Sequence, residues 1–415
     1  MVLLGTLDTK GEEYDFVQEM LALHGVETLL IDAGVLGPPK AEPDIPREEV
    51  AAAVGADAAA LAAAGDRGAA VAMMAAGAAA VVQALYAEGQ LDAIMGLGGS
   101  GGSTLIAAAM RALPIGVPKL LVSTVAAGDT RPYVDTSDIM LLPSVVDISG
   151  INPISARILR NAAAAVAGMA NAAAWDAEEG IEQRSDHLVG ATMFGVTTPC
   201  VTLVRETLED RGYEVLVFHA TGTGGRAMER LLRDGFLSGV IDVTTTELAD
   251  ELVGGVLSAG PERLEAAGAL GLPQVVSLGA LDMVNFGPRE SVPERFAGRQ
   301  LYVHNPTVTL MRTTPEENAE LGAIIARKLN AAQGPLALFI PLRGISAIDV
   351  AGQPFHDAAA QAALIDALRA NLAPGIEVHE LDMAINDTAF AEAMAARFDE
   401  LYEDWLEQQQ KDDEA

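Results

Sequence analysis

The stretch LDAIMGLGGSGGSTLIAAAMRAL, residues 91–113, decides the fold of the first half of the chain. It joins a short apolar run to a helical run through a turn made almost entirely of glycine and serine, which is the pattern of a strand, a tight loop and a helix. Gly96, Gly98 and Gly101 match the spacing G-x-G-x-x-G, in which missing side chains let backbone N–H groups approach an anion. The sequence therefore predicts a phosphate-binding loop here, with a ligand-free packing turn as the alternative.

Two departures from known glycine-rich loops limit the kinds of ligand that this loop can bind. A dinucleotide fold needs an acidic residue about twenty positions further on for the ribose, and residues 111–128 contain none. A Walker A loop ends in Gly-Lys-Ser/Thr, and no lysine lies between Lys40 and Lys119. The sequence thus disfavours NAD and excludes a P-loop.

Outward from this stretch, short apolar runs alternate with helical stretches, and Gly, Thr, Ser or Asp marks each junction. This pattern indicates βαβ units and a mainly parallel sheet, which makes the fold class α/β. The predicted strands are 2–6, 27–31, 92–96, 119–125, 138–142, 336–341 and 376–381, and the predicted helices include 11–24, 67–88, 103–112, 154–173 and 388–406.

The length of 415 residues favours two domains over one. The polar stretch WDAEEGIEQRSD, residues 175–186, is the candidate boundary. We therefore expect an N-terminal nucleotide-binding domain at 1–178, a C-terminal domain at 187–406 and an acidic tail at 407–415 that frays into solvent.

The pattern of the first half returns in the second. LALHGVETLLIDAG, ending at Gly34, aligns without gaps on LEDRGYEVLVFHATG, ending at Gly222, in its turn and apolar strand. GVPKLLVST (116–124) likewise resembles GLPQVVSLG (271–279). A duplication and the general similarity of βαβ units both explain this likeness.

The charge of the chain limits its partners. Asp and Glu number 58 against 26 Lys and Arg, which gives a formal charge of -32. A surface this negative repels phosphate backbones, so we expect no nucleic-acid partner. The single cysteine, Cys200, fits a reducing compartment, and no targeting signal is recognised, so the expected location is cytoplasmic.

Residues 68–87 carry no charge over a length that would span a membrane. Their bulky aliphatic residues are few, which favours a buried, closely packed helix over a membrane partner. These aliphatic residues are Val71, Val81, Val82 and Leu85.

The first strand is followed by GTLDTKGEE, residues 5–13, which supplies Thr6, Asp8, Thr9 and Lys10. These residues stand at the carboxyl end of the strand, where open α/β sheets bind ligands. Lys10 is one of five lysines and is a candidate phosphate partner, and Asp8 is a candidate Mg²⁺ ligand through phosphate oxygens. The alternative is that Asp8 and Thr9 cap a helix that begins near residue 11 and that Lys10 is merely solvated.

Hydroxyl groups near the glycine-rich loop complete the candidate phosphate site. Ser103 has an alternative role as the N-cap of the following helix. The full predicted set is Thr6, Asp8, Thr9, Lys10, Gly98, Gly99, Ser100, Gly101, Gly102, Ser103, Thr104, Ser123 and Thr124.

The second half carries its own polar clusters at predicted strand ends. FHATGTGGRAME, residues 218–229, places His219 before a second glycine-rich turn, which we interpret as another anion cradle. His219, Asp282, His304 and Arg312 form a candidate acid/base set, although their separations match no local metal motif. Arg312 is a candidate carboxylate clamp, with a salt bridge to Glu316 or Glu317 as the alternative.

Cys200 precedes the helix VTLVRETL, where a helix N-terminus lowers a thiol pKa. A buried small residue is the alternative reading of the same position. The sequence contains no G-x-S-x-G nucleophile elbow.

Ten motifs, in order, make the chain resemble the Tm-1-like ATP-binding proteins, bacterial and fungal proteins similar to the N-terminal part of the tomato mosaic virus resistance protein. The resemblance covers nearly the whole chain. The motifs are GTLDTKGEE, DRG at 66–68, GLGGSGGS, GVPKLLVST, VVDISGIN, FHATGTGGRAME, DVTTTELADEL, GALDMVNFG, VHNPTVTLMRTTPEE and PLRGISAID.

This resemblance implies two Rossmann-like domains, ATP binding in the N-terminal half and a homodimer. The plant protein continues into a TIM-barrel domain, so a separately encoded TIM-barrel partner is a further expectation. The first hypothesis is a cytoplasmic ATP-binding protein with the triphosphate on loop 96–104, with or without Mg²⁺. The rivals are an enzyme acting on a small organic acid through the C-terminal residues, and a nucleotide-sensing subunit.

Overall fold

The computed structural model describes residues 1–178 and 187–413. The chain divides into two compact units, Met1–Ile181 and Glu182–Ala415. Both units are α/β with a parallel sheet, which confirms the predicted fold of two Rossmann-like domains. Of the predicted boundary stretch, residues 179–186 lie outside the described residues.

The N-terminal sheet is fully parallel and takes the order β2-β1-β3-β4-β5. The connection from β1 leads outward to β2 on one side, whereas the connection from β3 leads to β4 on the other side, so the switch point of the sheet lies between β1 and β3. The strands are β1 Val2–Gly5, β2 Leu29–Asp32, β3 Ile94–Gly98, β4 Lys119–Ser123 and β5 Met140–Pro143.

Two N-terminal helices begin earlier than the sequence predicts. The first starts at Leu7 with Thr6 as its N-cap, and another starts at Ser100 with Gly99 as its N-cap. Helix propensity does not predict the start at Ser100, because Gly101 in the first turn is a poor helix former. The helices are α1 Leu7–Ala22, α2 Arg47–Ala52, α3 Ala58–Ala64, α4 Arg67–Ala87, α5 Ser100–Arg111, α6 Arg131–Val134 and α7 Pro153–Glu178.

The C-terminal sheet has six parallel strands in the order β14-β13-β9-β8-β6-β7. Counted within the unit, its first five strands repeat the N-terminal order and β14 adds a sixth. Duplication and the regularity of βαβ folding both remain compatible with this agreement. The strands are β6 Leu188–Met193, β7 Glu214–His219, β8 Gly239–Thr244, β9 Gln274–Gly279, β13 Leu336–Pro341 and β14 Glu377–Leu381.

A small antiparallel sheet in this unit is absent from the sequence predictions. It follows β9 and has the order β10-β12-β11, with β10 Met283–Phe286, β11 Leu301–Asn305 and β12 Val308–Arg312. The turn between β11 and β12 is closed by Asn305, whose side-chain oxygen accepts a hydrogen bond from the Thr307 amide at 2.9 Å. This hairpin forms one wall of a cavity in the C-terminal unit.

The C-terminal helices surround the larger sheet. The last helix continues to Asp413, so most of the segment 407–415 that we expected to fray is helical. The helices are α8 Thr198–Glu209, α9 Thr223–Arg233, α10 Glu247–Val253, α11 Ala266–Ala269, α12 Pro315–Asn330, α13 Ala358–Asn371 and α14 Thr388–Asp413, with 3₁₀ turns at Arg289–Ser291 and Glu294–Phe296.

The uncharged segment forms α4, which by length and composition alone is the one described helix able to cross a bilayer. Met74, Ala78 and Val82 bury one face of it in the N-terminal core, but 39% of its most apolar window is buried. The helix is therefore half-buried, not fully buried as expected. A Cβ at Gly77 would lie 2.1 Å from the Val50 carbonyl oxygen of α2, so the packing requires glycine.

Gly77→Ala is expected to lower the free energy of unfolding by about 1–3 kcal/mol, because the methyl group pushes α4 away from α2. Gly168→Ala is the matched control, since a Cβ at this position in α7 meets nothing within 4 Å. Its expected effect is a gain of up to about 1 kcal/mol from helix propensity. Urea unfolding measures both, and equal changes in the two variants would contradict the packing.

Candidate functional site

A cavity of about 250 Å³ opens at the carboxyl edge of the N-terminal sheet. The loops after β1 and β3 form its polar side, which places it at the switch point of the sheet. Its apolar side consists of Val35, Leu36, Ala70, Val71, Met74 and Leu105.

The first turn of α5 faces this cavity through Ser100, Gly101 and Gly102. The first N–H groups of any helix have no partner within the helix, and they carry partial positive charge. The N-cap Gly99 makes no side-chain cap bond to them. The helix N-terminus is thus open toward the cavity.

The glycines of this loop serve two different purposes. A Cβ at Gly98 would lie 2.6 Å from the Ser103 backbone nitrogen, so this glycine permits close packing of the loop on its helix. A Cβ at Gly101 would meet nothing nearer than Nη2 of Arg67 at 3.6 Å. Gly101 therefore leaves the backbone amides accessible, whereas Gly98 is required by packing.

Two residues that were predicted to contact the ligand instead stabilise the glycine-rich loop. Ser103 and Ser123 are buried, and their hydroxyl oxygens lie 2.6 Å apart. The Ser103 hydroxyl also donates to the Gly98 carbonyl at 3.2 Å. Neither residue lines the cavity, and the N-cap role open to Ser103 belongs to Gly99.

Other predicted hydroxyls divide between the cavity and its rim. Thr6 and Thr9 line the cavity, with their side-chain oxygens 2.9 Å apart. Thr104 donates back to the Ser100 carbonyl at 2.9 Å and lies outside the lining, as does the exposed Thr124.

Asp8 holds the loop that follows β2. Its Oδ2 accepts hydrogen bonds from the amides of Leu36 at 2.7 Å and Gly37 at 3.3 Å. Its Oδ1 is buried and has no hydrogen-bond partner among residues 1–178 and 187–413. Asp8 lies inside α1 and therefore does not cap it, and its side chain contributes to the cavity lining.

Lys10 lines the cavity and is partly buried, so it is not merely a solvated side chain. Its ammonium group donates to the Ile148 carbonyl. Glu13, one turn further along α1, accepts from the Gly150 amide at 2.7 Å. These two bonds fasten the loop after β5 to the helix that borders the cavity, and an ammonium group has further donors to offer.

Arg67 lines the cavity but is absent from the predicted site residues. It is the first residue of α4, and Asp66 caps this helix by accepting from the Ala69 amide at 3.0 Å. Its exposed guanidinium lines the cavity near Gly101, and no described carboxylate forms an ion pair with it. The DRG motif at 66–68 was the available signal.

The second glycine-rich loop, predicted to be an anion cradle, is filled by the protein itself. Glu247 Oε1 accepts from the amides of Gly222 at 2.6 Å and Gly225 at 3.1 Å. Its Oε2 accepts from Nε of Arg263 at 2.6 Å. The cradle prediction is wrong as a ligand site, because an internal carboxylate already occupies the anion position.

Arg263 is fully buried and connects this carboxylate to two others. Its guanidinium binds Asp242 through two nitrogens and lies 3.5 Å from Glu229. Burial alone would lower the pKa of Arg263, but Asp242 and Glu247 raise it well above its usual range. The guanidinium is therefore charged and depends on its carboxylate partners.

Glu247→Gln is expected to destabilise the C-terminal unit by about 3–5 kcal/mol, because a buried arginine loses a charged partner and meets an amide N–H₂ group. Thermal or urea unfolding measures the loss. Glu262→Gln is the control, since Glu262 pairs with Arg233 at 3.5 Å while 77% of its side chain is exposed, and its effect is expected to be near zero. Similar losses in both variants would contradict the structural role of Glu247.

The four predicted catalytic residues do not form one set. His219 and His304 line a second cavity, of about 280 Å³, whereas Asp282 and Arg312 are absent from its lining. Arg312 is buried, donates from Nε to the Phe355 carbonyl at 2.7 Å and pairs with Asp349 at 3.3 Å. The alternative salt bridge from Arg312 to the following helix is likewise not formed.

Asp282 belongs to the interior of the C-terminal unit. Its Oδ2 accepts from the Ser346 hydroxyl at 2.8 Å. Burial raises its pKa to about 7, and the nearby Asp349 adds to this effect while Arg312 opposes it. Within the described parts of the chain, no group of three or more His, Cys, Asp and Glu side chains is arranged to hold a metal ion.

Cys200 also lies in the interior, in the first turn of α8. Burial raises the pKa of its thiol to about 12. The thiol is therefore not activated by the helix N-terminus. Cys200 is instead a buried small residue, as in the alternative interpretation of the sequence.

Fold and cavities together define a protein of two Rossmann-like domains in which the N-terminus of α5 is open toward a cavity and that of α9 is closed by Glu247. The chain belongs to the UPF0261 family. The models described as "Uncharacterised protein family (UPF0261) N-terminal domain" and "C-terminal domain" match residues 1–174 and 186–402.

Relatives from bacteria and a plant support this membership. A UPF0261 protein from Clostridium tetani is 52% identical over 96% of this chain and 97% of its own length. One from Rhizobium meliloti is 48% identical over 95% of this chain and 97% of its own. The "ToMV resistance protein Tm-1(GCR237)" of Solanum lycopersicum is 48% identical over 76% of this chain but 42% of its own length.

Proposed function

We propose that the protein binds ATP, with the triphosphate on the open N-terminus of α5. The observation that carries this proposal is the uncapped first turn at Ser100–Gly102 facing a cavity that is also lined by Arg67 and Lys10. Backbone amides at a helix N-terminus favour anions, and a guanidinium binds phosphate through paired hydrogen bonds. In a chain of formal charge -32, this is a local positive site for a polyanion.

The opposite side of the cavity favours a nucleotide over free phosphate. Val71, Met74 and Leu105 supply apolar surface next to the polar loops. Ligand sites commonly combine apolar walls with a few placed polar groups, and a base needs the former while phosphates need the latter. The sequence motifs shared with the Tm-1-like proteins make ATP the nucleotide of choice.

Mg²⁺ is part of the proposal through Asp8. The unpaired buried Oδ1 of this residue is the type of hard oxygen ligand that Mg²⁺ takes. Mg²⁺ sites with nucleotides commonly use one or two carboxylates, with phosphate oxygens and water as the other ligands. Asp8 is therefore a suitable ligand for a Mg²⁺ ion that arrives with the nucleotide. This ion would neutralise part of the negative charge on the phosphates.

Gly101→Asp is expected to abolish ATP binding in calorimetry while the fold is retained. An acidic residue is favourable in the first turn of a helix, and a Cβ here has open space with Arg67 nearby. The new carboxylate would pair with Arg67 and repel the triphosphate. Tight binding by the variant would remove this loop from the proposal.

Arg67→Ala is expected to weaken ATP about tenfold to a hundredfold, which is the loss of charge-assisted hydrogen bonds to phosphate. Arg205→Ala is the matched control, because Arg205 lies on α8 of the C-terminal unit, is partly exposed and pairs with Glu209 at 3.7 Å. We expect one ATP per chain, since Glu247 fills the second loop. Two sites per chain, or equal affinities in both variants, would contradict the assignment.

A further inference from the structure

The second cavity lies at the carboxyl edge of the C-terminal sheet and has a different chemistry. Four segments build it: the loop 194–196 after β6, residues 219–221 at the end of β7, Leu257 in the loop after α10, and the β11–β12 hairpin from His304 to Leu310. Its volume of about 280 Å³ suits a small ligand. It is formed by residues of the C-terminal unit, and its proposed ligand does not depend on nucleotide binding in the N-terminal unit.

The walls of this cavity are apolar and its polar groups are few. Two of these polar groups are already engaged: the Thr221 hydroxyl donates to the His219 carbonyl at 3.1 Å, and the Asn305 oxygen accepts from the Thr307 amide. The two imidazoles are the ionisable groups in the lining, which contains no carboxylate. The apolar walls are Phe194, Val196, Leu257, Val308 and Leu310.

The histidines are held at the exposed side of the cavity. Both side chains are exposed, and the ring of His219 packs against Phe194 with a centroid distance of 5.5 Å. Leu310 and Val196 of the same lining are buried. A ligand whose polar head lies near the exposed imidazoles can direct an apolar body toward these buried side chains.

We propose that this cavity binds a small monocarboxylic acid with a branched or aromatic body, whose carboxylate is received by His219 and His304. Imidazole N–H groups donate hydrogen bonds to carboxylates, and they do so as cations when protonated. Apolar walls gain free energy from burying a hydrocarbon body, whereas a sugar or polyphosphate would lose hydrogen bonds to water without replacement.

The arrangement favours binding over acid/base chemistry. Asp282 and Arg312, the other members of the predicted catalytic set, are buried elsewhere and bonded to protein groups. Among the described residues, no carboxylate pairs with His219 or His304 to orient an imidazole as a base. The small organic acid of the rival hypothesis is therefore a ligand of this cavity and not a substrate of the four predicted catalytic residues.

Calorimetric titration with benzoate and 3-methylbutanoate, in the absence of nucleotide, tests the ligand class. Both acids are expected to bind. Acetate, which lacks the apolar body, and benzamide, which lacks the charge, are expected to bind at least about tenfold more weakly. Failure of both acids to bind, or equal binding of benzamide and benzoate, would overturn the proposal.

His219→Ala and His304→Ala test the site itself. Each is expected to weaken benzoate about tenfold, and unchanged melting temperatures are expected because both side chains are exposed. His24→Ala is the control, since His24 is an exposed histidine of the N-terminal unit and does not line this cavity. Benzoate affinity that stays at the wild-type level in both cavity variants would place the acid elsewhere and refute the assignment.

Discussion

The backbone amides at the start of α5 are the feature on which the proposed site of the N-terminal unit depends. A helix cannot satisfy its own first N–H groups, and here no side chain caps them. Several neighbouring contacts keep this end exposed. Gly98 lets the loop fold tightly on the helix, the Ser103–Ser123 hydrogen bond holds it to β4, and Asp8 fixes the adjacent loop. The cavity is a consequence of these contacts.

In the C-terminal unit, a side chain of the protein itself satisfies the corresponding helix N-terminal amides. Its strands follow the same order, and a glycine-rich turn again precedes a helix. There Glu247 accepts from the exposed amides, and buried Arg263 balances its charge. One fold thus leaves a helix N-terminus uncapped in one unit and closes it with a carboxylate in the other. The cavity lined by His219 and His304 in the C-terminal unit has apolar walls, and for this reason we propose a different class of ligand for it.

Local patterns predicted the fold well, and long-range contacts account for what they missed. Strand 336–341 was predicted with its observed bounds, because a run of apolar residues between turn signals is a local pattern. The start of α5 at Ser100 was missed because glycine propensity argues against a helix that packing enforces. Arg67 and Glu247 act on loops 34 and 22 to 25 residues away in sequence, respectively. Such partners depend on the folded arrangement, and no spacing rule identifies them.

A crystal structure with a non-hydrolysable ATP analogue tests the central claim most directly. The account predicts phosphate oxygens within hydrogen-bond distance of the amides of Ser100, Gly101 and Gly102, with the Arg67 guanidinium turned toward them. A triphosphate bound at any other place, with the first turn of α5 still open, would contradict it.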